Sequence, residues 1–201
     1  LKFVLKEPVI PSGSNKGVFL LAPLVSCVLA LAAWAVIPMD LGWVISDINV
    51  GVLYIFAISS LSIYGIIMAG WSSNNKWSML GGIRSATQIV SYEIPAGLAL
   101  FPAVLLSGTL SMQGIIAAQG WEPWTWHMFH SPFALLAFLL FFTGLLAEGN
   151  RTPFDLPEAE SELVAGFATE YSGMRSLLFF LAEWGVLYVI GALVTTLYMG
   201  G

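Results

Sequence analysis

Five long apolar stretches, separated by shorter polar connections, run along the 201-residue chain. They cover residues 17–40, 48–71, 86–112, 131–148 and 176–199. A helix that crosses the hydrocarbon core of a membrane needs about 20 mainly apolar residues, whereas a barrel strand needs about ten that alternate in polarity. The pattern therefore predicts an all-α protein, a single polytopic transmembrane helical bundle over 1–201 with about five spans.

The composition agrees with a membrane protein and excludes several other classes. Hydrophobic residues make up 58% and charged residues 9% of the chain, against about 25% charged in a soluble domain. No basic patch of the kind that binds nucleic acid is present. The single cysteine, Cys27, lies in an apolar run and is predicted to pack there. Neither a Walker A motif nor G-x-G-x-x-G is found, so any redox cofactor is expected on another polypeptide.

The basic residues orient the predicted spans. Lys2, Lys6 and Lys16 precede the first span, Lys76 and Arg84 lie between the second and third, and Arg151 and Arg175 lie between the fourth and fifth. All seven fall in alternate connections, and the side of the membrane that carries them is normally cytoplasmic. We therefore expect the chain to start inside, to end outside, and to place residues 149–175 in an acidic cytoplasmic loop.

The outer connection after the third span is rich in aromatic residues. Trp121, Trp124 and Trp126 are typical of the belt at a membrane interface. His127 and His130 could face the same way on a helix, but no third ligand follows nearby. We interpret them as interfacial histidines and predict no metal site.

The fourth predicted span runs into a strongly acidic connection. Its six acids are Glu148, Asp155, Glu158, Glu160, Glu162 and Glu170. One interpretation is structural, because Asp155 followed by Glu158 resembles a capping box at the start of a helix. The other is functional, because Asp155, Glu158 and Glu162 would share one helical face, where mutual repulsion favours proton uptake.

Two further carboxylates lie inside predicted spans. Glu93 follows Arg84 by nine residues and Glu183 follows Arg175 by eight, so each lies about 12 Å beyond a basic residue at the helical rise. A carboxylate within a span costs about 2.5–3.5 kcal/mol and indicates a functional site. Together with Glu148, these residues predict a path for protons or cations from the inner surface into the membrane.

Three segments resemble the quinone-site membrane subunit of respiratory complex I, the bacterial NADH–quinone oxidoreductase. They are AEGNRTPFDLPEAESELVAGFATEYSG, GGIRSATQIVSYEIP and LKFVLKEPVIPSGSNKGVFLLAP. The resemblance extends over essentially the whole chain. It implies an eight-span family, of which this chain would lack the first span and the last two, so we expect a piece of a longer protein.

The resemblance also implies a function. Quinone, either ubiquinone or menaquinone, would enter a tunnel in this subunit, and its reduction would drive proton pumping. Arg84, Arg151, Phe154 and Asp155 would belong to the quinone site, and Glu93, Glu148, Asp155, Glu158, Glu160, Glu162, Glu170 and Glu183 to the proton-coupling path. FMN and iron–sulfur clusters would lie on partner subunits. The expected partners are peripheral quinone-site subunits and antiporter-like membrane subunits, and the expected location is the bacterial inner membrane.

Three alternatives stay open on the sequence. The first is the related membrane subunit of an energy-converting hydrogenase, which would have a nickel-bearing companion. The second is a stand-alone proton or cation channel. The third is a scaffold in which Glu93 and Glu183 have no functional role.

Overall fold

The computed structural model describes residues 5–40, 43–155 and 165–201. Within these ranges it contains six α-helices: α1 (Lys16–Trp34), α2 (Gly51–Ser72), α3 (Lys76–Ser107), α4 (Met112–Ala118), α5 (Pro132–Glu148) and α6 (Met174–Tyr198). Four of them, α1, α2, α3 and α6, are long and apolar enough to cross a membrane, and α5 is a shorter apolar helix. The prediction of an all-α polytopic membrane protein is confirmed.

The helices pack in an arc whose order differs from their order in sequence. The arc runs α6–α1–α2–α3–α5, and α5 contacts α6 much less than it contacts α3. The hydrophobic core lies inside this arc, and its most buried members include Val52, Ile55, Phe141, Leu197 and Tyr198. Many large apolar side chains point outward instead, which suits a surface that faces lipid.

The helix that contains most of the third predicted span has different bounds from that span. The predicted span is 86–112, whereas α3 begins at Lys76 and ends at Ser107, and Met112 begins α4. The Asn75 side chain caps α3 by accepting a hydrogen bond from the Trp77 N–H at 3.0 Å. At 32 residues, α3 is about 48 Å long and exceeds a hydrocarbon core of about 30 Å. Part of α3 can therefore extend beyond the hydrocarbon core, and a basic residue such as Arg84 can lie on that part. Hydropathy alone assigns Arg84 to a connection.

Glycines allow α2 and α3 to approach closely near the turn that joins them. A Cβ on Gly70 would lie 2.8 Å from the Ser78 carbonyl oxygen, and the same Cβ would lie 3.4 Å from the Cα of Gly82. The backbone of Asn15 also bonds to Ser72, with 3.2 Å between N and O. The end of α2 and the start of α3 therefore lie beside the start of α1. We call this the basic end of the bundle, because α1 and α3 begin there at Lys16 and Lys76.

The short helix α5 stops well before the basic end. The Gln88 amide nitrogen, which belongs to α3, donates to the carbonyl oxygen of Ala147 near the end of α5 at 2.9 Å. Gln88 follows Lys76 by twelve residues, so α5 ends about 18 Å along α3 from its start. The chain after Glu148 therefore begins inside the bundle, between neighbouring helices.

The aromatic connection at the opposite end is fixed by side chains that bond to backbone groups. His127 is buried and its Nδ1 lies 2.9 Å from the Leu197 carbonyl oxygen. Gln119 donates to the Thr196 carbonyl oxygen at 2.9 Å. His130 is exposed, as are the rings of Trp121 and Trp124. Among the described residues, no group of three or more metal-ligating side chains comes together.

Candidate functional site

A largely apolar cavity of about 310 Å³ lies within the arc of helices. We call it the central cavity. Helices α1, α2, α5 and α6 form most of its wall, with apolar side chains such as Ala30, Ile55, Phe179 and Ile190. Its polar lining includes Ser59 and Ser62 on α2 and the carboxylates of Glu148 and Glu183. The cavity therefore combines an apolar volume with two groups that can exchange protons.

Glu148 is the last residue of α5, and Glu93 lies near it on α3. The Ser59 hydroxyl forms a hydrogen bond with the Glu148 carboxyl, which also interacts electrostatically with Glu93. The adjacent Ser60 hydroxyl hydrogen-bonds to Glu93. Two neighbouring serines on one helix thus hold two carboxyl groups from different helices. This arrangement gives both carboxyl groups hydrogen-bond partners within the bundle.

Glu183 has a cationic partner from the connection after α5. Arg151 Nη2 lies 2.9 Å from Glu183 Oε1, and the two side chains are 35% and 29% exposed. The guanidinium also lies over the Trp184 ring, with 5.5 Å between the guanidinium carbon and the ring centroid. Its Nε is buried and has no hydrogen-bond partner among the described residues. Asp155 acts electrostatically on Glu183 as a second acid near this pair.

The connection that carries Arg151 is bound to α3 by a polar side chain. Besides the Ala147 carbonyl, the Gln88 amide nitrogen lies 3.1 Å from Asn150 Oδ1 and 2.8 Å from the Phe154 carbonyl oxygen. Asn150 donates to the Ser85 hydroxyl at 3.0 Å. The Phe154 ring packs at 5.3 Å from that of Tyr92. These contacts hold the irregular segment that follows Glu148 against α3 and so fix the approach of Arg151 to Glu183.

A model of the NADH dehydrogenase family matches residues 1–201. The chain belongs to the NADH dehydrogenase family. It is 58% identical to the H subunit of NADH-quinone oxidoreductase from Nitrobacter hamburgensis, 56% identical to that from Phenylobacterium zucineum and 53% identical to that from Anaeromyxobacter dehalogenans. The family membership predicted from the sequence is confirmed.

The three comparisons each cover 100% of this chain, but only 59%, 58% and 49% of the relatives. The chain thus spans about half to three-fifths of the length of the curated relatives that it matches. Together with the apolar helices, membership of the NADH dehydrogenase family indicates a multi-pass membrane protein.

The structure brings some of the predicted site residues of this family member together and separates others. Glu93, Glu148 and Glu183 lie at or near the central cavity, and Arg151 joins them. Phe154 lies on the bound connection, and Asp155 is exposed beside it. Glu158, Glu160 and Glu162 lie outside the described residues, so the predicted acidic face stays a prediction.

Two predicted residues are held elsewhere. Glu170 accepts a hydrogen bond from the side chain of Asn75 at 2.6 Å, at the basic end of the bundle. Arg84 is exposed on α3 and is not part of the cavity wall. Arg84 in α3 and Glu170, which is bonded to the cap residue of α3, thus both lie outside the cavity. The resemblance groups Arg84 with the quinone residues and Glu170 with the proton-coupling residues.

Sequence reasoning missed the polar side chains that support the acids in this NADH dehydrogenase family member. Ser59, Ser60 and Gln88 lie in strongly apolar helices, and Asn150 follows Glu148 closely. The position of Ser59, Ser60 and Gln88 within predicted spans could have indicated them, because polar groups there must find hydrogen-bond partners away from water. Their partners could not be read from the sequence, since Ser60 and Glu93 are 33 positions apart.

Proposed function

We propose that this chain is part of the membrane subunit of a proton-pumping NADH–quinone oxidoreductase. In this role it lines the quinone-binding tunnel and couples quinone reduction to proton translocation through buried carboxylates. The names of its relatives support the complex. The observation that carries the proposal is the central cavity itself, in which an apolar volume meets Glu148 and Glu183.

The chemistry of quinone reduction matches both parts of this cavity. The ring and tail of a quinone are apolar and gain about 25 cal/mol for each Å² of surface removed from water. Reduction places negative charge on the ring oxygens, which raises the proton affinity of nearby carboxyl groups. Glu148 lines the cavity and interacts electrostatically with Glu93, so we expect the Glu148 carboxyl group to take up or release a proton in response. The Arg151 guanidinium, which pairs with Glu183 at 2.9 Å, adds positive charge close to the Glu183 carboxylate that lines the cavity.

The remaining parts of the reaction belong to other chains. Quinone, ubiquinone or menaquinone, is the substrate at this site, and FMN and iron–sulfur clusters supply electrons from partner subunits. Peripheral quinone-site subunits and antiporter-like membrane subunits complete the complex, which lies in the bacterial inner membrane. The chain itself contributes binding, orientation and proton transfer.

The proposal is tested by replacing Glu148 with Gln in the complete complex. We expect NADH:quinone reductase activity and coupled proton uptake into vesicles to fall at least tenfold, because Gln keeps the size and polarity of the side chain but cannot titrate. Oxidation of NADH by a water-soluble acceptor should be unchanged. The matched control is Glu122→Gln at the opposite end of the bundle, where the carboxylate bonds to the exposed Trp124 indole at 2.6 Å.

Full activity and full proton uptake in Glu148→Gln would contradict the coupling role. Purification of the native assembly separates the alternatives. A nickel-bearing companion with no flavin subunit would favour the hydrogenase relative, and proton flux through the isolated chain in liposomes would favour a channel.

A further inference from the structure

The chain segment before α6 forms one wall of the central cavity. Ala165, Phe167 and Ala168 line the cavity, although the segment is a short 3₁₀ turn over Gly166–Ala168. It rests directly on α3, because a Cβ on Gly81 would lie 2.7 Å from the Gly166 Cα. A turn this short has little stability of its own, so its attachment to the helices decides how firmly the wall is held.

A proline in α1 provides an attachment point. Pro23 lies inside α1 and has no backbone N–H, so the carbonyl oxygen four residues earlier, that of Phe19, lacks its helical donor. The Tyr171 hydroxyl donates to this oxygen at 3.2 Å. Such a carbonyl must find another donor when it is buried, and Phe19 is fully buried. The phenol therefore takes the place of the missing helical hydrogen bond.

Tyr171 is also enclosed by three other contacts. Its ring stacks on that of Phe19, with centroids 4.1 Å apart and 7° between the planes. It meets the Phe179 ring edge-on at 4.9 Å, and its hydroxyl lies 3.4 Å from that of Ser72. Burial raises the pKa of Tyr171 to about 12, so the phenol keeps its proton and stays a donor at physiological pH. One side chain thus joins the cavity wall to α1, α2 and α6.

We propose that Tyr171 is a positioning residue for the quinone site, in which its bond to the carbonyl released by Pro23 fixes the Gly166–Ala168 wall of the cavity. The inference rests on the proposed function and adds a residue that touches neither the quinone nor the transferred protons. Its effect passes through Phe167 and Ala168, which face the cavity.

The test is Tyr171→Phe in the complete complex. This variant keeps the ring contacts and removes only the hydroxyl. We expect the KM for quinone to rise about fivefold, which corresponds to about 1 kcal/mol at 1.4 kcal/mol per factor of ten, while kcat changes less than twofold. Hydrogen–deuterium exchange across residues 165–173 should speed up by a similar factor. The matched control is Tyr54→Phe, which removes a bond of the same kind, from a phenol to the α1 carbonyl of Ala32 at 3.4 Å, and should change neither quantity.

A second variant tests the role of the proline. Pro23→Ala supplies a helical N–H that draws the Phe19 carbonyl back along the axis of α1 and away from the phenol. We expect faster exchange across 165–173 in Pro23→Ala alone, and less than a twofold further effect when Tyr171→Phe is added. Unchanged exchange in Pro23→Ala would overturn the inference even if Tyr171→Phe failed to assemble.

The inference and the proposed function fail in different ways. An unchanged KM and unchanged exchange in Tyr171→Phe would overturn the inference. It would also be overturned if Tyr171→Phe had the same effect in the Pro23→Ala variant as in the unaltered protein. Neither result affects the proposed function, which depends on the loss of coupled activity in Glu148→Gln.

Discussion

The ion pair between Arg151 and Glu183 gives a quantitative prediction. At 2.9 Å between Nη2 and Oε1, two unit charges attract by about 6 kcal/mol at an effective dielectric constant of about 20. Desolvation and solvent screening offset most of this energy, because the two side chains are 35% and 29% exposed. Exposed pairs contribute about 0–1 kcal/mol, and breaking a buried pair costs about 3–5 kcal/mol. A coupling of about 1–2 kcal/mol is therefore expected here.

A double-mutant cycle with Glu183→Gln, Arg151→Gln and the double variant measures this coupling. If the pair acts as a unit in the quinone site, each single change should lower kcat/KM for quinone roughly 5- to 30-fold, which is the rate equivalent of about 1–2 kcal/mol. The double variant should be no worse than the more damaged single variant. The assay is NADH:quinone reductase activity of the complete complex in membranes, with Glu122→Gln as the control.

Additive effects of the two changes would refute the reasoning, because they would mean that Arg151 and Glu183 act independently. Unchanged kcat/KM in Glu183→Gln would refute it more directly, since the guanidinium would then need no anionic partner. Salt dependence offers a further check, because a pair that is about one-third exposed is partly screened by added salt.

Two further predictions concern the support of the site and use the thermal stability of the assembled complex as their measurement. Gly81→Ala places a Cβ 2.7–2.9 Å from the backbone around Gly166 and should destabilise the cavity wall by about 1–3 kcal/mol. The control is Gly97→Ala in the same helix, whose Cβ meets nothing within 4 Å, so this change should be neutral or stabilising. Equal effects of the two changes would contradict the steric argument. Gln88→Leu removes the donor that binds the connection after α5 and should lower stability by about 1–3 kcal/mol. The neighbouring Thr87→Val, on an exposed face, is the control and should change stability little. If the thermal stability of the Gln88→Leu complex were unchanged, the connection would be held by other contacts.

The apolar elements were largely predictable from the sequence. The stretches 17–40, 48–71 and 176–199 overlap α1, α2 and α6, although α1 ends at Trp34, six residues before the end of the first stretch. The overlap arises because hydropathy over about 20 residues measures the cost of taking a segment out of the membrane. Glu93 and Glu183 were predicted as site residues for a related reason, since a carboxylate in such a stretch is costly wherever its helix packs. The family also followed from the sequence, because long motifs carry much more information than single residues.

Only the tertiary structure decided how these elements form a site. The sequence places Glu148 at the end of a span, but its partners Ser59 and Glu93 come from two other helices. Hydropathy likewise assigns Arg84 to a connection. In the structure, Asn75 caps α3, and the helix begins at Lys76, eight residues before Arg84. Hydropathy and capping are local properties, whereas hydrogen bonds and ion pairs join residues that are dozens of positions apart. Which polar side chains meet depends on how far each helix extends past its neighbours, and packing alone fixes that distance.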